Sequence, residues 1–442
     1  MLQEQHLLDR TPLNVFGVPR MPMVQPNPTS PLSLRSLSGR SYFSFRLSRR
    51  FLFRSCGAGA TLVAVCLAAG WAIHSSQATE QKPFGSRYAL PPGPWGNLTA
   101  HPILLATPTG KISTAARQGD GHWYVHAASA DEVVAFLRES GLDEDRMRQV
   151  AATVRPVSGN SGLFAATPSS ALITGLDRTT RSRLYARLAR WPENVAQIQP
   201  FHTTEKILEE WLADLPADTA ADIENLLWRS GAALLFSDYN TVADSLPSAR
   251  EKLEVLKAVS RKPSMVLELR IGARSESHNL ARYWGIHGRT EQITPLLESL
   301  ARSGEADLDV SNLLPAFARE RLHRYPDPLR NQDTGPDCHF TSLNFFARGE
   351  PDARLHDPRG AEGIFREQYT EARGEPQFGD IVVLTTPEGE TVHSAVHIAA
   401  DIVFTKNGMG LTMPWVFSTL EQMFTYYPGE QRLQVSYYRK RP

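Results

Sequence analysis

Three cysteines are all this chain has, and two of them, Cys56 and Cys66, lie inside its one uncharged apolar segment, 55–73. Cys338 is the single thiol of the remainder, so no disulfide framework is available and stability must come from a packed core. A surplus of one charge is missing too. The 47 basic and 47 acidic residues cancel, which excludes the global positive field that recruits nucleic acid or an anionic membrane surface. After residue 73 no further run of about 20 apolar residues follows, so nothing later can cross a bilayer as a helix. No fixed-period repeat is present, which argues against a solenoid or propeller. What is there is globular: 41% hydrophobic and 9% aromatic residues over 442 positions, enough for two or three domains at roughly 100 to 200 residues each.

Before residue 55 stand Arg35, Arg40, Arg46, Arg49, Arg50 and Arg54 with few acids, which reads as a cytoplasmic flank. As a helix rising about 1.5 Å per residue, the apolar segment is just long enough to cross the hydrocarbon layer. Its Gly and Ala content makes it a weak permanent span. Ser48-Arg49-Arg50-Phe51-Leu52-Phe53-Arg54 resembles a twin-arginine export signal, and Ser76-Gln77-Ala78 offers small residues for cleavage before Thr79. Residues 1–78 are therefore expected to hold a cytoplasmic flank plus either a cleaved export signal or a single retained membrane anchor. Either way the positive-inside rule sends the C-terminal bulk outward, to the periplasm or cell envelope. A lone thiol in that oxidising setting is either buried and inert or kept for its reactivity.

Residues 79–330 read as a mostly helical domain. Pro83, Pro91, Pro92, Pro94 and Pro102 predict a linker or extended arm at its start. Ser129 and Glu132 form a capping box ahead of Val133, Val134, Phe136 and Leu137, with Gly141 as the stop. Leu184, Tyr185, Leu188 and Trp191 make an apolar stripe, opposite a solvated face of Arg181, Arg183, Arg187 and Arg190. Further helices are predicted over Thr204–Leu215, Thr219–Arg229 and Ala249–Val259, and one opens at Thr294-Pro295. His122 and His126 flank Trp123 and Val125 on a predicted strand. Without a Cys or carboxylate at ligand spacing they read as packing residues rather than metal ligands. No chemistry is assigned to this stretch, whose roles are scaffold, partner binding or spacing from the membrane.

Pattern and chemistry meet in residues 331–442. Asp337 is a helix N-cap after Gly335-Pro336, and Phe340, Leu343, Phe346 and Ala347 form one apolar face. Cys338 falls in the first turn, where unpaired amides and the helix dipole favour the thiolate. Pro376-Gln377-Phe378-Gly379-Asp380 turns into a strand, Ile381 to Leu384. A turn at 387–390 joins it to Thr391 through Ala399, and Ile402 to Thr405 makes a third strand ending at Asn407-Gly408. The expectation is a helix packed on an antiparallel meander. His393 and His397 are four apart on the second strand and share a face, so one can look toward the cysteine. His393, at the strand's entrance, is the better exposed, and its imidazole can take the thiol proton and later protonate a leaving amine. The plainer alternative is two histidines packed under a helix.

Asp337-Cys338 opening a helix, Gly379-Asp380 opening a strand and His393-Ser394-Ala395-Val396-His397-Ile398 as the next strand resemble the NlpC-type cysteine peptidases, papain-like cell-wall hydrolases. The related CHAP amidases share the Cys and His order. The likeness spans about a quarter of the chain. It implies that Cys338 is the nucleophile and His393 the base, and that an amide bond in peptidoglycan stem peptides is the substrate, with no metal or cofactor. The family places a polar residue, often histidine, on the following strand to orient the imidazole. Here the stretch is Phe404-Thr405-Lys406-Asn407; lysine cannot accept the imidazole N–H, whereas Asn407 or Thr405 can, and Asn407 is preferred. His339-Phe340 replaces the small residues that usually follow the cysteine, and Trp415, Tyr426 and Tyr427 either line a cleft or belong to the core. The expected molecule is thus an exported α+β protein, with a mostly helical middle region and a C-terminal papain-like domain that hydrolyses an amide bond. Two alternatives stand beside it: a non-catalytic cell-envelope binding module with a degenerate papain-like domain, and an interaction scaffold in which the middle domain is the functional part.

Overall fold

The computed structural model describes residues 84–115, 121–272, 277–329, 335–427 and 433–441. The basic flank, the apolar segment, the paired arginines and the cleavage motif of 1–78 lie outside the described residues. No helix among the described residues is long and apolar enough to cross a membrane.

The Pro-rich stretch is not a linker. It supplies β1 (Tyr88–Ala89) and β2 (Asn97–Leu105), and β1 pairs only with Thr99 and Ala100. Pro102 lies past the reach of β1, where one side of β2 is an edge and a missing N–H is tolerated. Ser129 caps α1 (Ala130–Glu139) as its sequence directs: Oγ accepts from the Glu132 amide, while the Glu132 carboxylate accepts from the Ala128 amide.

Two small antiparallel sheets follow. One joins β3 (Trp123–His126), β4 (Arg155–Pro156) and β5 (Leu163–Ala166); the other joins β6 (Phe201–Thr203), β7 (Trp228–Ser230) and β8 (Ala233–Phe236). In α2 (Arg178–Leu188) the stripe of Leu184, Tyr185 and Leu188 is buried as its spacing predicts. Arg181 is not solvated: it is wholly buried, donates to the carbonyls of Ile173 and Asn225, and lies 3.7 Å from the Asp238 carboxylate. The middle region thus adds short strands to its helices. Strands of two to four residues are too short to print a two-residue alternation on the sequence. The helix predicted to run to Arg229 ends at Leu226, and Trp228 begins β7.

The ten-residue β9 (Lys262–Ile271) and the short β10 (Ala306–Asp309) complete a sheet of order β1-β2-β9-β10. Between them α3 (Thr290–Ser303) begins a turn before Thr294-Pro295 and holds Pro295 inside it. The Glu291 carbonyl that Pro295 leaves without its helical donor belongs to an exposed residue, where water can serve it.

The cysteine stands at the head of α4 (Cys338–Leu343), and a second helix, Pro358–Gln368, leads into the C-terminal sheet. The strands are β11 (Tyr369–Glu371), β12 (Ile381–Thr385), β13 (Thr391–Ala399), β14 (Ile402–Lys406), β15 (Trp415–Thr419) and, after α5 (Leu420–Thr425), β16 (Gln434–Lys440). Their order is β11-β16-β12-β13-β14-β15, antiparallel throughout. The turn into β12 uses Gly379 at φ +87°, where a side chain would also strike Phe346. Beside it the Asp380 carboxylate takes two hydrogen bonds from Arg439, at 2.8 and 2.7 Å.

This sheet buries both faces. On one, Val396, Phe404 and Phe417 join Phe345, Phe378 and Trp284, and also Leu98, Leu267 and Leu269 of β2 and β9, in a single core. The boundary expected at 330/331 thus divides the sequence but not the apolar interior, and the described residues form one compact unit. On the other face Val382, Leu384, Ala395 and Val403 pack under Met423 of α5. The architecture is α+β, built on antiparallel sheets.

Candidate functional site

Asp337 caps α4, its Oδ1 accepting from the Phe340 amide at 2.7 Å, so Cys338 occupies the first turn as its sequence predicts. The paired stretch of β13 and β14 ends at Val396 opposite Phe404. Beyond that point the backbone amide of Ser394, with those of Cys338 and His339, acts to lower the Cys338 thiol. These donors favour a thiolate, yet they do not win. Cys338 is 7% exposed, and burial, reinforced by the charge of Asp337, pushes its thiol up to about 12. The sequence reading weighed the helix terminus and could not weigh desolvation, which opposes any charged form.

Side chains alternate along β13, and the alternation decides which residues meet the cysteine helix. Ser394 faces α4: its Oγ is 2.7 Å from Ser342 Oγ and 2.9 Å from His339 Nδ1. His393 and Ala395 face the other way, toward α5 and the residues after it. The histidine face of β13 was expected to look onto the cysteine, and His393 was expected to be exposed; the structure gives the serine face to the helix and buries His393 completely. Its Nε2 lies 2.8 Å from Thr405 Oγ1 and its Nδ1 lies 2.7 Å from the Tyr427 hydroxyl. With both nitrogens engaged the ring is fully satisfied, and no hydrogen bond links it to Cys338 among the described residues. Burial, and after it the nearby His339, holds His393 well below the usual imidazole range.

The residue that orients the imidazole is Thr405, not Asn407. Both share a face of the chain at the end of β14, but Asn407 Oδ1 is buried without a hydrogen-bond partner while Thr405 reaches the ring. His397 is buried too, neither ring nitrogen has a partner, and burial brings it down to about 4.

Several residues that sequence reasoning left without a role gather here. His339, half-buried, is tied through Nδ1 to Ser394 beside the sulfur. Tyr427 comes from beyond α5; burial and then the charge on Cys338 keep its phenol well above the usual range, so it stays neutral. Lys406 is wholly buried, its Nζ donating to the carbonyls of Gly408 at 2.6 Å and Gly410 at 3.3 Å. A lysine closing an apolar strand is a visible signal for it; Tyr427 carried only that of an aromatic for a cleft or a core. Trp415 walls the site through its indole N–H, which donates to Thr341 of α4. Tyr426 stacks on His202 instead.

Elsewhere, His126 pairs with Glu193 at 3.2 Å and His122 with Thr167 at 2.8 Å. No group of three or more His, Cys, Asp or Glu able to hold a metal occurs among the described residues. An open hollow of about 430 Å³, lined in part by His122, Glu193, Asn194 and Asp238, lies in the middle region; Cys338 lines neither it nor a smaller one of about 230 Å³ beside His202 and Tyr426. No protein-family model, curated protein or solved structure matches this chain.

Proposed function

We propose that this protein is an exported cysteine hydrolase that cleaves an amide bond in peptidoglycan stem peptides, with Cys338 as nucleophile, His393 as acid and base and Thr405 holding the imidazole. The observation that carries the reading is the setting of the thiol: Cys338 heads a helix where three backbone amides favour its thiolate, and that helix packs on the strand that carries His393, a histidine already held by the Thr405 hydroxyl. In the reaction His393 takes the Sγ proton and the sulfur attacks the carbonyl carbon. The C–N bond then breaks, the imidazolium returns its proton to the departing amine, and water releases the acyl group from sulfur.

The resting site is shut, because Tyr427 occupies Nδ1 and the thiol is held protonated. Substrate binding therefore has to displace the Tyr427 hydroxyl and also turn the imidazole, which faces α5, toward Sγ. This same closure favours a second reading, a catalytically silent papain-like module that binds cell-envelope material. The discriminating experiment is a digest of purified cell wall by the parent protein and by Cys338→Ser, read by mass spectrometry. New stem-peptide fragments that require the thiol support the hydrolase; identical digests with retained binding support the module.

A further inference from the structure

The open hollow of about 430 Å³ in the middle region is lined by side chains whose hydrogen-bonding capacity is only partly used. Gln197, on the short helix Val195–Ile198, lines it and is 6% exposed, yet its carboxamide makes no hydrogen bond among the described residues. Ser237, 4% exposed, accepts the Trp228 indole N–H at 3.0 Å, which leaves its own hydroxyl proton to give. Thr241, on the helix Tyr239–Ser245, adds a half-buried hydroxyl that bonds to nothing among the described residues. Buried carboxamides and hydroxyls are normally paired, so these three take their partner from what enters the hollow.

The carboxylates at the same place are already answered. Asp238 accepts from the Tyr185 hydroxyl at 2.7 Å and lies 3.7 Å from the Arg181 guanidinium, and Glu193 pairs with His126 at 3.2 Å. Each carboxylate has a partner of its own, which leaves an incoming cation little to gain. An added peptide strand finds its place taken too. β3 is an edge of its sheet, but the Asn194 carboxamide holds both the amide and the carbonyl of Tyr124, at 2.8 Å each, where such a strand would pair. What stays open is a set of uncharged groups that donate and accept, beside an apolar wall of Trp123 and Ile173. A sugar ring is the complement of that set, because its hydroxyls donate and accept at once and its C–H face is apolar. The size suits it, since small-molecule sites run from roughly 300 to 1,000 Å³.

We propose that this hollow is a binding site for a neutral saccharide, whose hydroxyls meet the Gln197 carboxamide and the Ser237 and Thr241 hydroxyls. The site goes beyond the hydrolase reading and stands without it, since Cys338 does not line the hollow.

The test is calorimetric titration of the full-length protein with glucose, galactose, mannose and N-acetylglucosamine, and with ethylammonium, acetate and N-acetylalaninamide as ionic and peptide-like probes. At least one sugar should bind at millimolar concentration, and the other three probes should not. Gln197→Leu keeps the volume and deletes the carboxamide, so it should weaken sugar binding at least about tenfold. Its thermal midpoint should hold or rise, because the substitution removes no hydrogen bond within the described residues. Thr241→Val, at a half-buried position, should weaken binding severalfold and keeps the test open if Gln197→Leu does not fold. Silence of all four sugars overturns the proposal, as does a folded Gln197→Leu that binds like the parent, or preference for ethylammonium, acetate or N-acetylalaninamide. Cys338→Ser should bind the sugar as the parent does, so a failed cell-wall digest and a failed titration are read independently.

Discussion

The Tyr427 hydroxyl sits 2.7 Å from His393 Nδ1, and the two rings lie 4.5 Å apart at 30°, so the phenol caps the nitrogen that would have to face the sulfur. The histidine is clamped between this phenol and Thr405, which lends it rigidity at the expense of access.

Removing the cap should therefore uncover the site. Tyr427→Phe keeps the ring and deletes one buried hydrogen bond, a loss of about 1 kcal/mol or somewhat more. We expect a small fall in the urea midpoint together with a severalfold rise in Cys338 alkylation at neutral pH. Slower alkylation would mean that the phenol assists the thiol rather than blocking it.

Thr405→Val, which removes the hydroxyl and keeps the shape, should lower turnover roughly tenfold, the worth of about 1.4 kcal/mol of lost orientation. Asn407→Ala should change it little, because Asn407 Oδ1 bonds to nothing in the site. Steady-state hydrolysis of a stem-peptide substrate by the two variants gives the ranking, and the reverse order would return the orienting role to Asn407.

Asp337 both caps α4 and opposes the thiolate. Asparagine caps about as well as aspartate but carries no charge, so Asp337→Asn should shift the alkylation profile of Cys338 to lower pH with stability nearly unchanged. A profile that overlays the parent's would show that the aspartate's charge does not reach the sulfur.

His397 is folded into the sheet as a neutral ring at about 4, against 6.5 when free. Its folded value is depressed, so the unfolded chain binds the proton more readily. Stability is complete above about pH 6.5 and falls as the pH drops toward 4, by on the order of 3 kcal/mol for this one group. His397→Leu should flatten that acid limb in urea titrations between pH 4 and 7, since neither ring nitrogen has a partner to lose. An acid limb that stays as steep would assign it to other groups, such as the buried His202.

Export is tested apart from the fold. Replacing Arg49 and Arg50 together by lysine should block translocation while leaving the folded portion intact, as read by cell fractionation and circular dichroism. Normal export of that variant would remove the twin-arginine assignment.

The sequence by itself determined the local parts. Asp337 ahead of Cys338, Gly379-Asp380 ahead of β12 and the Ser129 cap ahead of Glu132 each act within a few residues, so their chemistry is legible in order and spacing alone. The meander of β12, β13 and β14 was legible for the same reason, because turn residues punctuate it. The tertiary structure decided everything that depends on which surfaces meet. It turned Ser394 rather than His393 toward the cysteine helix, because a strand's two faces are equivalent until something packs on one of them. It brought Tyr427 onto His393 from 34 residues away and buried Lys406 and Arg181 where sequence marked charge. It also set the Cys338 thiol high, since desolvation belongs to the assembled core and a helix terminus read alone carries no trace of it.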